Sequence, residues 1–497
     1  MTSVRLTSKL TGNTIEFIDE IKASGGMKDI YFSPDKSYVV GFFRNKSDPN
    51  QLERLRDICT RYRENLFNQS GGDYWESAFR WPHDLVERNG TIGVVVPFYE
   101  NAFFFAHGSK NGDFLKIKGR EKEGKWFSSA SNREKFLDPR EKGTYLSHLQ
   151  ICLSIARAVR RMHMAGLAHS DLSYKNVLVD PTSGKACLID IDGLVVPGKY
   201  HPDVVGTPDF IAPEVIKTQH LDRKDPNRIL PSVKTDRHAL AVLIYMYLFY
   251  RHPLRGRKVH DQSPQRDEEL SMGERALFVE HPLDASNRVR PEDLRKQSLP
   301  WGDPKARPYS MAGPVLKKLF EEAFIDGLHN PAKRPSAATW ENALVRSIDL
   351  IQPCSAKCDM GWYVFDNSKA PSCPHCGTPY KGKLPVLNLY SQRRKGSYHY
   401  DDHRLMIWDG QSLFPWHIRT SVTPNEHLKQ AEKKRVGYFQ KHNESWWLVN
   451  ETVVGMRNLG EGTIIPIGGR VKLEDGVNIL LSPEDDGRMS LVQMSGT

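Results

Sequence analysis

The chain has 497 residues, 39% hydrophobic and 26% charged, the composition of an ordinary soluble globular protein and too long for one compact domain, so two or three units are expected. Its net charge of +10 comes from Lys and Arg interleaved with acids, not from the basic and aromatic stripe of a nucleic-acid face, so nucleic acid is not the expected partner. The first residues carry no secretory apolar run and the longest apolar stretch, Ala239 to Tyr250, is too short to span a bilayer, which points to a cytoplasmic protein without membrane attachment.

From Thr14 to about Phe98 the pattern is strand-rich. Lys28 to Phe32 and Ser37 to Phe43 are short β-branched and aromatic runs joined by Pro34-Asp35-Lys36, which predicts a hairpin. Leu52 to Phe67 has apolar residues at 52, 55, 58, 62 and 66, a helical stripe. Thr91 to Pro97 reads as an apolar strand, and Tyr145 to about Ala165 as a long helix. Arg251 to Pro308 is polar and proline-rich and reads as loops between helices; Met311 to Phe324 and Ala337 to Ile348 read as further helices.

Between these elements lie four short stretches that carry chemistry. They are His169-Ser170-Asp171 with Asn176; Ile189-Asp190-Ile191-Asp192-Gly193; Gly206-Thr207-Pro208 running to Ala212-Pro213-Glu214; and Asp236 with Arg334. Phosphoryl transfer needs a carboxylate to orient the acceptor hydroxyl, hard oxygen ligands for Mg²⁺, and cations against the spreading negative charge. Asp171 can supply the first, and Asn176 and Asp190 the second, the latter two separated by the apolar pair Val177-Leu178-Val179 and Cys187-Leu188-Ile189.

In order and spacing, residues 14 to 348 resemble the protein-kinase family. The resemblance implies a two-lobed α+β fold with ATP and Mg²⁺ as cofactors, an N-terminal lobe over 1–98 and a C-terminal lobe over 99–350. It makes Asp171 the catalytic base and Asn176 and Asp190 the magnesium ligands, pairs Glu214 with Arg334, and anchors the catalytic loop through Asp236. Departures are visible: Ser170 replaces the usual Arg, Ser173 the usual Lys with Lys175 nearby, and Asp192 stands where the triplet's glycine is expected, either as a second magnesium carboxylate or as a turn residue.

The third strand carries Gly41 where kinases place the phosphate-binding lysine. In Ala23-Ser24-Gly25-Gly26-Met27-Lys28, Lys28 stands at the third glycine of the phosphate-covering loop, similar to the with-no-lysine kinases. That likeness makes Lys28 the relocated lysine beside Gly25 and Gly26. Arg44 is a third candidate, and a solvated Lys28 in a pseudokinase is the alternative. An acidic partner for Lys28 is expected on the 52–67 helix, at Glu53 with a short connection or Glu64 with a longer one, Glu53 preferred.

After Pro353 the chain changes character. Seven cysteines are present, of which Cys59, Cys152 and Cys187 lie alone in apolar segments. Cys354-x-x-x-Cys358 and Cys373-Pro374-His375-Cys376-Gly377 present two close thiolate pairs, the pattern of a structural Zn²⁺ ribbon over 351–383 that needs the metal to fold, with His375 exposed. From 384 to 497, the runs Arg404 to Trp408, Val436 to Gln440, Ser445 to Asn450, Thr463 to Ile467 and Asn478 to Ser482 predict an all-β sandwich. The stretch Gly468 to Gly476 with Ile479-Leu480-Leu481 resembles the closing strands of forkhead-associated domains, without their phosphothreonine-reading Arg, Ser and His.

Together the three parts resemble bacterial serine/threonine kinases of tellurium-resistance (Ter) stress systems. This implies phosphorylation of a partner protein on Ser or Thr, with a von Willebrand A-type protein and a metal-dependent protein phosphatase as associated partners. The rival expectation is a pseudokinase scaffold that binds nucleotide and assembles partners through the ribbon and tail.

Overall fold

The computed structural model describes residues 2–496 except 25–26, 47–48, 69–70, 197–198, 200–205, 223, 297–301, 356 and 395. The chain forms two compact units, Met1–Gly143 with Gln150–Pro304 and Leu319–Glu341, and Thr144–Leu149 with Lys305–Lys318 and Asn342–Thr497.

The first unit begins with a two-stranded hairpin, β1 (Ser3–Thr7) and β2 (Thr14–Ile18). A five-stranded antiparallel sheet follows, built from β3 (Ala23–Ser24), β4 (Lys28–Phe32), β5 (Tyr38–Phe43), β6 (Asp84–Arg88) and β7 (Thr91–Pro97) in the order β3-β4-β5-β7-β6. The β4–β5 turn holds Lys36 at φ 57°, and Asp35 Oδ1 accepts from the Ser37 amide and hydroxyl at 3.0 and 2.7 Å, the local hydrogen bonding that lets Asp replace backbone partners in a tight turn. Alternation along β5 then sends Val40 and Phe42 against Ile15 and Phe17 of β2, and Phe43 to the opposite face against Leu55 and Cys59.

Leu55 and Cys59 belong to a helical segment that starts earlier than its apolar stripe predicts. It runs as α1 (Pro49–Asp57), a π-turn over Ile58–Tyr62, and α2 (Arg63–Phe67), followed by α3 (Gly72–Ala78). The Trp81 indole N–H donates to the carbonyl of Ile58 at 2.8 Å, a backbone oxygen that the widened turn leaves for a tertiary partner. Arg161 secures the other end, donating to the Asn65 and Leu66 carbonyls at 3.1 and 2.7 Å.

The remainder of this unit is mainly helical. The Tyr145–Met164 helix contributes its residues from Gln150 onward, and the Val233–Phe249 helix runs through the core, opened by a capping box in which Ser232 and Thr235 exchange bonds. From His238 to Phe249 it is buried all round, as a stretch without a polar face must be, with Tyr245 and Phe249 against Phe320. The Arg251 to Pro308 region is less loop-like than its composition implies: it contains helices Pro264–Met272 and Pro291–Lys296, each opened by a proline at the first helical position where its missing N–H costs nothing. A small hairpin, β8 (Val177–Asp180) with β9 (Lys185–Leu188), pairs Val177 with Leu188.

The second unit is β-rich. β10 (Ile351–Pro353) and β11 (Trp362–Val364) form a hairpin; β12 (Leu384–Arg394) and β13 (Ser397–Met406) form a long one. With β14 (Ser412–Leu413), β15 (Gly437–His442), β16 (Ser445–Asn450), β17 (Arg457–Asn458), β18 (Thr463–Ile464), β19 (Arg470–Leu473), β20 (Asn478–Leu480) and β21 (Arg488–Ser495), the tail makes two antiparallel sheets, β13-β12-β21-β20-β17-β18 and β14-β15-β16-β19. Among the described residues no helix is long and apolar enough to cross a membrane.

Candidate active site

Register explains how Lys28 enters the first unit's cleft. Lys28 on β4 lies opposite Phe43, and Ile30 opposite Gly41 on β5. A Cβ on Gly41 would crowd Ile30 Cδ1 at 3.1 Å and lie in ordinary contact with Lys28 Cδ at 3.5 Å, so the lysine stem runs alongside the bare glycine. The ammonium meets two carboxylates, Asp190 Oδ1 at 2.9 Å and both oxygens of Asp192 at 2.8 and 2.7 Å.

These charges perturb one another. Burial pulls the Lys28 pKa down, but Asp192 and Asp190 outweigh it and hold it above the usual lysine value. The Lys28 ammonium in turn draws the Asp190 carboxyl below its ordinary value. Asp192 goes the other way, because its burial outweighs the attraction of Lys28.

The β8–β9 hairpin brings the other polar groups to the same place. It sets the Ile189 amide on the Asn176 carbonyl at 3.0 Å, which puts Asn176 beside Asp190. Asn176 donates its side-chain N–H groups to the Asp171 carbonyl at 2.8 Å and to Asp171 Oδ2 at 3.0 Å. Its amide oxygen thus points away from those donors. Asp171 Oδ1 accepts from the amide and hydroxyl of Thr207 at 2.7 and 2.8 Å, so the carboxylate is held from both sides.

Two residues of this loop region have left-handed backbones, Ser170 at φ 65° and Asp190 at φ 60°, a conformation that non-glycine residues hold only when their surroundings dictate it. Asp236 supplies part of that support: its Oδ2 accepts from the His169 amide at 2.7 Å and its Oδ1 from the Ser170 amide at 3.2 Å. His169 Nε2 donates to the Ile189 carbonyl at 3.0 Å, tying this loop to the Asp190 segment. Farther off, Arg334 grips Glu214 through two bonds of 2.7 Å, the pairing expected from the sequence.

The cleft is open to solvent and spans about 720 Å³ of empty space. One part is apolar, with Ile30, Val39, Val94, Val96 and Ile189; the other presents Lys28, Asn176, Asp190 and Asp192. An apolar slot leading to a cation and oxygen donors can take a base at one end and phosphates at the other. Tyr99, which sequence reasoning passed over, also lines the cleft; an aromatic residue just beyond the apolar β7 run was its only signal. The oxygens of Asn176 and Asp190 suit a hard divalent cation, and the Asp190 side chain is 50% exposed.

Other expected site residues stand elsewhere. Glu53 on α1 meets Lys199 at 3.2 Å, Glu64 is exposed, and the carboxylates on Lys28 are those of Asp190 and Asp192. Arg44 bonds to Asp29 and Ser24. Gly25 and Gly26 lie outside the described residues.

In the second unit the four cysteines of the paired motif converge. Cys354 and Cys376 sulfurs are 3.5 Å apart, those of Cys358 and Cys373 are 3.8 Å apart, and all four lie within 4.8 Å of one another with no disulfide among them. A tetrahedron of sulfurs about 2.3 Å from zinc has edges of about 3.8 Å, so the donor set fits that ion. Each pair sits on a tight turn, with the Gly361 amide on the Cys358 carbonyl at 3.0 Å and the Gly377 amide on the Cys373 carbonyl at 2.8 Å. His375 is half-buried and not exposed as its place between ligands suggests, because its ring packs on Tyr145 at 4.9 Å and meets Arg307.

Residues 125–337 match the family model for the protein kinase domain. Over 89 residues, 18% of this chain, the sequence is 32% identical to a dual serine/threonine and tyrosine protein kinase of Apis mellifera, covering 9% of that protein. Over 261 residues, 42% of this chain, it is 24% identical to the serine/threonine-protein kinase PknD of Chlamydia trachomatis, covering 26% of it. The chain therefore spans only a minor part of the length of these relatives. Among solved structures it is similar to ROP2 from Toxoplasma gondii, described as a virulence factor with a protein-kinase fold and no enzymatic activity, at a TM-score of 0.39 and 15% identity over 70% of this chain and 84% of that one. For residues 125–337, the family match and the curated relatives support membership of the protein kinase superfamily.

Proposed function

We propose that the chain is an ATP- and Mg²⁺-dependent protein kinase that phosphorylates Ser or Thr on a partner protein. The observation that carries this reading is that Lys28, Asn176 and Asp190 line one cleft while Asn176 bonds to the Asp171 carboxylate beside it. Asn176 and Asp190 would hold Mg²⁺, which when bound supplies positive charge against the phosphates. Lys28 adds an ammonium from β4, across the sheet from Gly41 and Phe43 of β5. Asp171, fixed by Thr207 and Asn176, orients the acceptor hydroxyl and takes its proton as the new oxygen–phosphorus bond forms and the bond from the γ-phosphorus to the bridging oxygen breaks, releasing ADP.

The resemblance to Ter-system kinases extends this reading to a bacterial stress-response or signalling role, with a von Willebrand A-type protein and a metal-dependent phosphatase as partners. The convergence of four thiols supports Zn²⁺ in the second unit. One observation favours a second reading: with Gly41 on β5 in place of a lysine, the fold could serve as a nucleotide-binding scaffold without transfer. Incubation with labelled ATP and Mg²⁺, beside an Asp171→Ala control and followed by phosphoamino-acid analysis, separates them. Kinase function requires label on Ser or Thr that the control loses; a wild type that binds nucleotide but never transfers label leaves the scaffold.

A further inference from the structure

Asp190 and Asp192 both touch Lys28, yet their settings differ. The Asp190 side chain is 50% exposed and gives the ammonium one oxygen; that of Asp192 is 7% exposed and gives both. A metal ligand must turn an oxygen toward an ion in the cleft, which suits Asp190, whereas both Asp192 oxygens already face the ammonium. On the helical segment, Glu53 is engaged with Lys199 and Glu64 faces solvent.

We propose that Asp192 is a positioning residue, the fixed counter-ion of Lys28, and not a magnesium ligand. It does from the turn after Asp190 what a helix carboxylate would otherwise do. This rests on reading Lys28 as the phosphate-binding lysine. The 3₁₀ turn Ile191–Gly193 carries Asp192 two residues beyond Asp190, so the anchor of the lysine and the ligand of the metal move as one piece. When Asp190 turns to a cation, Lys28 keeps its two bonds to Asp192 and stays at the phosphate end of the cleft. A flexible lysine stem would otherwise have to be ordered by the nucleotide itself, at a cost in affinity.

Asp192→Asn preserves shape and removes the charge. The first measurement uses no nucleotide: the rate at which an amine-reactive reagent labels Lys28, read by mass spectrometry. Losing the charged partner of two of its bonds releases the ammonium toward the reagent, so labelling is expected to rise several-fold, and by less in Asp190→Asn, which weakens one bond. An unchanged rate overturns the proposal.

The second measurement is the Mg²⁺ concentration that half-saturates binding of a fluorescent ATP analogue. It is expected to stay the same in Asp192→Asn and to rise in Asp190→Asn; an equal rise in both overturns the proposal. In a Lys28→Met background, Asp192→Asn should change analogue affinity no further, and a further loss identifies a role independent of the lysine. If the wild type shows no Mg²⁺-dependent binding, the kinase reading falls, while the labelling rates still decide whether Asp192 holds Lys28.

Discussion

At the scale of single residues, Gly41 leaves the face of β5 open opposite Ile30 and alongside the stem of Lys28. Its hypothetical Cβ already crowds Ile30 Cδ1 at 3.1 Å and touches Lys28 Cδ at 3.5 Å, and a branched side chain adds methyl groups in the same space. Gly41→Val is therefore expected to weaken binding of an ATP analogue by about tenfold, near the loss of a charge-assisted hydrogen bond, with little change for adenosine. Fluorescence titration of both ligands checks this. The absence of a β5 lysine is legible in the sequence, and so is the nearby Lys28. Its partner is not: Asp192 is 164 positions away, and only the closed fold shows that its carboxylate turns to the lysine.

Elements are joined by buried charges whose loss has a calculable direction. The Arg334 side chain is 1% exposed and, besides Glu214, donates to the carbonyls of Gly327, Lys234 and Leu328. Arg334→Met would strand the Glu214 carboxylate and three carbonyls, so it is expected to destabilise the first unit by about 3–5 kcal/mol in urea unfolding. Adding Glu214→Gln should restore part of that. In the second unit, Asp349 at the end of the Ala337–Asp349 helix meets His403 of β13 at 2.7 Å and His417 at 3.3 Å. Burial pushes its carboxyl up, but His417 and His403 more than offset this and leave it below the ordinary value. Since the folded pKa is depressed, the stability it gives is fully present above the unfolded value of about 3.9 and disappears as pH falls through the folded value. Wild type should thus unfold at a higher temperature than Asp349→Asn at neutral pH, with the gap narrowing in acid; tryptophan fluorescence melts at several pH values test the trend.

The same elements show where sequence patterns speak and where they do not. β7 and β16 keep the bounds their apolar runs suggest, Thr91–Pro97 and Ser445–Asn450, because proline, glycine or asparagine punctuates both ends. The helical segment before Phe67 hides its π-turn, since a wider turn alters the backbone without altering the apolar stripe enough to be seen. β13 extends over Ser397–Met406 although only its end reads as a strand. Its pairing with β12 is broken by irregularities at Leu389/Tyr390 and Gln392/Arg394, and each shift disturbs the alternation on which strand recognition relies.

For the whole molecule, the two units depend on different sources of order. The first has a broad apolar core and a cleft assembled from its own hydrogen bonds, whereas the cysteine segment has two three-residue strands and a small buried group that includes Met360, Tyr363 and Phe365 near four thiols. On the proposed Zn²⁺ reading, a strong chelator should therefore expose all four thiols to a thiol reagent and loosen residues near 351–383 without loosening the first unit; hydrogen exchange with and without chelator reads both effects. The most direct test of the cleft itself is calorimetric titration of a non-hydrolysable ATP analogue with Mg²⁺, and separately of adenosine, into wild type and Lys28→Met. If the β4 ammonium holds the phosphates, the variant binds the analogue about ten to a hundred times more weakly and adenosine equally well. Equal affinity of both proteins for the analogue would contradict a phosphate-binding role for Lys28.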